Sequence, residues 1–141
     1  MLTQVSFPLL SLLCTATGLL IEQVKATPCH MDYSKVTNAE LGRAGDLLVR
    51  YVLTADNPCL TIEYLKSGHP GVSLRDRTIC SLGEARFDRD FALVDFKTVE
   101  FHDDRLSVEV EIIPSRRGRK VVRWCSIALQ SDSIGDLACD R

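Results

Sequence analysis

The side chains with the most chemical reach in this 141-residue chain are six cysteines, three histidines and one run of arginines. Metal binding is the first chemistry to weigh. Cys29-His30 is the nearest approach to a ligand pair, but the chain has no Cys-x-x-Cys and no His-x-x-x-His, the paired spacings by which structural zinc is held. Asp88-x-Asp90 and Asp103-Asp104 are carboxylate pairs without the Gly-containing twelve-residue loop that wraps calcium, so they read as solvated turns. No metal is expected.

Nucleophilic catalysis fares no better. There is no Gly-x-Ser-x-Gly elbow and no phosphate-cradling glycine loop. A thiol–imidazole pair built on Cys29 and His30 would need adjacent side chains to face each other, which neighbouring residues rarely do. His69 and His102 fall in segments that read as turns, and a general base needs a positioned nucleophile beside it. The chain is expected to be no enzyme and to need no cofactor.

The cysteines therefore point to disulfides, and their compartment depends on the N-terminus. Val5 to Ile21 is an apolar run of about 17 residues, short for a bilayer span, followed by Val24-x-Ala26, a small-residue cleavage pattern. Residues 1–26 are expected to be a cleaved signal peptide; a retained anchor and a buried helix are the alternatives. Leu13 before Cys14 is too large for lipoprotein processing. Cleavage leaves residues 27–141 as one small disulfide-containing domain with five cysteines, exported to the periplasm or secreted, where thiols oxidise. Proximity favours Cys59–Cys80, at the two ends of an expected helical hairpin, and Cys125–Cys139, tying the last long strand to the C-terminus. Cys29 is the odd thiol. It would link two chains as a homodimer, replace a partner above, or stay buried.

One cluster rises above this background. Arg116, Arg117, Arg119, Lys120 and Arg123 surround one expected hairpin tip, and Trp124 follows at once. Residues 84–111 hold nine acids against four bases, so a net charge of −2 conceals two opposed regions. Three readings compete. Charges on a hairpin discourage edge-to-edge pairing. Arginines also give bidentate contacts to carboxylates, and Arg beside Trp is a common interface composition, which suits a protein partner with an acidic surface. Anionic lipid or nucleic acid is the third, and the overall charge gives nucleic acid no bulk support. Trp124 has a competing core reading, since its strand must bury one face.

The elements that position these groups read as helices first and strands after. Thr37-x-x-Glu40 is a capping box, with Leu41, Ala44, Leu48, Tyr51 and Val52 at helical spacing, predicting a helix over 38–53. Gly42 and Gly45 weaken it or mark a close contact. Asn57-Pro58 starts a short helix to Gly68, although Leu60–Leu65 also alternates as a strand. Ser73 to Gly83 reads as a third helix. From 92 the period becomes two. Strands are expected near 92–101, with a bulge at Lys97-Thr98, and at 106–112, 120–130 and 134–139; Gly118 is expected in a left-handed turn position. The expected fold is α+β, N-terminal helices packed on a three- to four-stranded antiparallel meander.

Ordinary hydrophobic (45%) and charged (26%) fractions exclude disorder, and the length allows one domain. The functional expectation is an exported small binding protein recognising another macromolecule, of the inhibitor or immunity type toward a secreted enzyme or toxin. The alternatives are a pocket-forming domain, lined by the inner faces of 92–101, 106–112 and 121–129, that binds or transforms a small molecule, and an envelope component dimerised through Cys29.

Overall fold

The computed structural model describes residues 32–140. The expected signal segment, Cys14, Cys29 and His30 lie outside them. Among the described residues the helices expected over 38–53, 58–67 and 74–82 are absent, and strands take their place. The expected α+β architecture is thereby corrected to a nearly all-β one.

The stretch read as the first helix is a hairpin of β1 (Val36–Ala44) and β2 (Leu47–Thr54). Gly45 takes φ 55° in the two-residue turn that sets Ala44 opposite Leu47, a left-handed position that suits glycine. β2 misleads by its double burial. Val49 and Tyr51 line one face and Val52 the other, each below 5% exposed. A strand apolar on both faces loses its alternation and, with Leu41 and Ala44, imitates a helical stripe. The stretches read as the second and third helices are β3 (Asn57–Lys66) and β4 (His69–Ile79), joined through Gly68 at φ 79°. Asn57 caps no helix. Its side-chain oxygen accepts the Cys59 N–H at 3.0 Å, an Asx-type turn entering β3.

A short ribbon, β5 (Ser81–Leu82) with β6 (Ala85–Arg86), and one helical turn, α1 (Phe87–Asp90), lead into the second half. There β7 (Phe91–Phe101), β8 (Arg105–Pro114), β9 (Val121–Gln130) and β10 (Ser133–Cys139) lie where the alternation put them. The register of β7 against β8 slips between Phe96 and Thr98, so Val94, Phe96, Val99 and Phe101 all reach the inner side.

The eight long strands form two antiparallel sheets, β1-β2-β3-β4 and β10-β9-β8-β7, each a meander of sequential neighbours. They share one core, in which Leu60 and Ile62 of the first sheet join Leu106, Val108 and Ile127 of the second, all fully buried. Contacts at both borders hold the sheets together. At one, Gly42 of β1 lies against Phe101 of β7 so closely that a Cβ would stand 2.5 Å from the ring. At the other, Arg77 of β4 donates to the Ile134 carbonyl at 2.6 Å and pairs with Asp136 of β10. The Tyr64 hydroxyl donates to the Ser133 carbonyl at 2.8 Å. Glu63 is the one buried charged residue among those described. It accepts from Arg50, opposite it on β2, at 2.6 Å, and Tyr33 lies over the same guanidinium with its hydroxyl 3.1 Å away.

Candidate functional site

The basic cluster occupies the connection between β8 and β9 and the first part of β9. Two backbone features shape its tip. Arg117 takes φ 51°, the left-handed region expected here for Gly118. Gly118 is needed for a different reason: a Cβ there would stand 2.4 Å from the Pro114 ring. A bulky residue at positive φ is an outlier that its surroundings must impose.

Arg116, Arg117, Arg119, Lys120 and Arg123 are all exposed. Lys120 reaches Glu111 at 3.1 Å. Among the described residues the four arginines make no ion pair. In the acidic stretch four of the nine acids pair with cations of the same stretch. Asp88 pairs with Arg86, Asp90 with Arg89, Asp95 with Lys97, and Asp104 with Arg105. Hydrogen bonds hold the Asp88 and Asp90 carboxyls below the usual carboxylate range, from the Arg86 guanidinium at Asp88 and from the Arg86 backbone N–H, then Arg89, at Asp90. The four arginines of the hairpin are exposed cations without an ion pair among the described residues.

Trp124 is not a core residue. It is 44% exposed, on the outer face of β9 opposite Glu109, with Val122 (49%) opposite Glu111. Arg123 and Val121 project to the other side and are exposed too. The expectation that β9 buries one face holds from Cys125 to Leu129 and fails from Val121 to Trp124. Val122 and Trp124 share the outer face with the exposed Ala128 and Gln130, and the last paired residues of β9 and β10 are Cys125 and Cys139. Past that pair, Val121–Trp124 line a surface groove of about 410 Å³ with Asp140. Val121 and Val122 are site residues that the arginine pattern alone did not single out; the Val-Val-Arg-Trp run beside it was the available signal.

The two expected disulfides are formed, Cys59–Cys80 and Cys125–Cys139. The route to the first was mistaken. No helical hairpin brings it together; Leu60 lies opposite Ile79, and the cysteines are the next residues along β3 and just past β4. Both bonds fit an oxidising compartment.

Other candidates are scattered. His69 is exposed at the start of β4, and His102 sits in the β7–β8 loop 3.7 Å from Glu100. Among the described residues no three His, Cys, Asp or Glu side chains cluster as metal ligands. The inner faces of 92–101, 106–112 and 121–129 were the expected walls of a ligand pocket; those of 92–101, 106–112 and, in β9, Cys125, Ile127 and Leu129 carry core side chains, while Val121 and Arg123 are exposed. A separate surface cleft of about 260 Å³ lies at Leu48, Leu65, Leu74 and Arg75 of the first sheet. Comparison of the chain with protein-family models, with curated proteins and with solved structures finds no match.

Proposed function

We propose that the chain is an exported binding protein that captures an acidic surface of another protein through the β8–β9 hairpin and the adjoining part of β9. The observation that carries this reading is the group of four exposed arginines without carboxylate partners among the described residues, next to a half-exposed Trp124. Guanidinium groups make paired hydrogen bonds to carboxylates and keep their charge at any physiological pH. A tryptophan beside them supplies apolar contact area at little entropic cost. Arg117 supports the reading as well, since it stands at the tip in a left-handed conformation that costs free energy. The two disulfides support export.

The test is capture by the purified, oxidised chain from envelope and extracellular extracts, compared with the Arg116→Glu/Arg117→Glu variant. The wild type is expected to retain an acidic protein that the variant releases. An unchanged set of captured proteins contradicts the assignment of the site.

A further inference from the structure

The cleft of about 260 Å³ on the first sheet lies at the end of the molecule where the β1–β2, β3–β4 and β9–β10 turns meet, with Asp46, Ser67 and Ser131 among its walls. The described residues neither begin nor end there. Tyr33–Lys35 sits beside the β2–β3 turn, where Lys35 pairs with Asp56, and Asp140 bonds to Trp124 on the far part of β9.

The floor of the cleft is dry. Leu48 and Leu65 stand directly opposite each other on β2 and β3, on the side away from the shared core. Leu65 and Tyr64 are each 3% exposed, and the Tyr64 hydroxyl is occupied by the Ser133 carbonyl. Beside them the pairing of β3 with β4 slips. Tyr64 stands opposite Arg75 and Leu65 opposite Ser73, which leaves Leu74 over. A bulge of this kind bends the strand and re-aims a side chain. Leu74 is 66% exposed, the most of any large apolar side chain among the described residues, and it lines the cleft.

The charges at the cleft are of opposite sign. Asp46 and Arg75 both line it, both are exposed, and among the described residues neither makes an ion pair. A simple anion suits Arg75 and is repelled by Asp46; a simple cation meets the reverse. A ligand that carries both charges satisfies both. The leucines ask for an apolar stem, and the volume is below the roughly 300–1,000 Å³ of pockets for drug-sized ligands. We infer that the cleft binds a free α-amino acid with an aliphatic side chain. Its carboxylate meets the Arg75 guanidinium, its ammonium meets Asp46, and its side chain lies against Leu48, Leu65 and Leu74. The site is on the sheet that does not carry the arginine hairpin, so amino-acid binding stands or falls apart from partner capture.

The test is a titration of the isotope-labelled, oxidised chain with L-leucine at low salt, read by amide chemical shifts, against glycine, L-leucinamide and 4-methylpentanoate. L-Leucine is expected to move the amides of Leu48, Leu65, Leu74 and Arg75 saturably. Leucinamide lacks the carboxylate and 4-methylpentanoate the ammonium. Each is expected to bind about fivefold more weakly, the upper value for one exposed ion pair. Glycine, without the side chain, is expected to bind about tenfold more weakly or worse. Arg75→Gln should erase the difference between leucine and leucinamide, and Asp46→Asn that between leucine and 4-methylpentanoate. Both positions are exposed turn or edge sites, and the Arg116→Glu/Arg117→Glu variant should bind leucine like the wild type. Equal binding of leucine and glycine overturns the assignment. So does equal binding of leucine and 4-methylpentanoate. Equal binding of leucine and leucinamide makes the occupant the first residue of a peptide and overturns the free amino acid. The absence of saturable shifts at the cleft also overturns it and leaves the arginine site to extract capture.

Discussion

Cys125 and Cys139 stand directly opposite each other, and theirs is the last pair at which β10 covers β9. One residue on, the Asp140 N–H still donates to the Trp124 carbonyl at 3.2 Å. Removal of the disulfide should act twice. Closing a loop across 14 residues of sequence separation contributes about 3 kcal/mol by restricting the unfolded chain. Cys125→Ala/Cys139→Ala is expected to lose stability of that order in denaturant unfolding. Hydrogen exchange should also rise first at Ser126 and Leu137, next to the released end.

Arg50 and Glu63 form a cross-strand ion pair in which the carboxylate side chain is only 9% exposed. Glu63 holds the Arg50 guanidinium above its ordinary range, mainly through the 2.6 Å hydrogen bond. Removing one partner strands the other charge. Glu63→Leu is expected to cost about 3 kcal/mol, and Arg50→Met/Glu63→Leu to recover much of it, because a pair replaced by apolar groups leaves no buried charge. Denaturation midpoints of the two single variants and the double variant measure the coupling.

Arg117→Gly separates stability from recognition. Glycine adopts φ 51° freely, so the substitution is expected to leave stability unchanged or raise it by up to about 1 kcal/mol. Retention of an acidic partner should fall at the same time. Melting temperature and capture, measured on the same preparation, check both halves.

Burial pushes the Tyr51 and Tyr64 hydroxyls above the ordinary phenol range. A raised folded-state pKa gives stability that is complete below the unfolded value of about 10 and is lost as pH climbs through the folded value. Stability should be level in this respect up to about pH 9 and decline above pH 10. In Tyr51→Phe and Tyr64→Phe that decline should be shallower, read from denaturant midpoints after brief exposure to each pH.

The second half of the chain was legible because its strands each have one dry face. Leu106, Val108, Val110 and Ile112 alternate with polar residues, and even the slip at Lys97 followed from the parity change between Phe96 and Val99. The first half was not, because β2 and β3 are buried on both sides. Val52, Leu65 and the Arg50–Glu63 pair lie under an outer face that local periodicity does not reveal. Gly45 was read as a helix defect and Gly68 as a helix end, although each lies in a two-residue connection between apolar runs. At the candidate site the charge was visible in the sequence, and the exposure of Trp124 was not. Trp124 shares the outer face of β9 with the exposed Ala128 and Gln130, opposite the face of Cys125, Ile127 and Leu129 that reaches the core.

The most direct measurement is a map of amide chemical shifts in the isotope-labelled, oxidised chain titrated with a ten-residue peptide of alternating Glu and Val, a simple acidic stand-in for the partner's surface. The account predicts that the shifts concentrate between Arg116 and Trp124 and at Asp140. Shifts concentrated instead around the exposed Leu41, Val72 and Leu74 of the first sheet, with the hairpin unmoved, would contradict it.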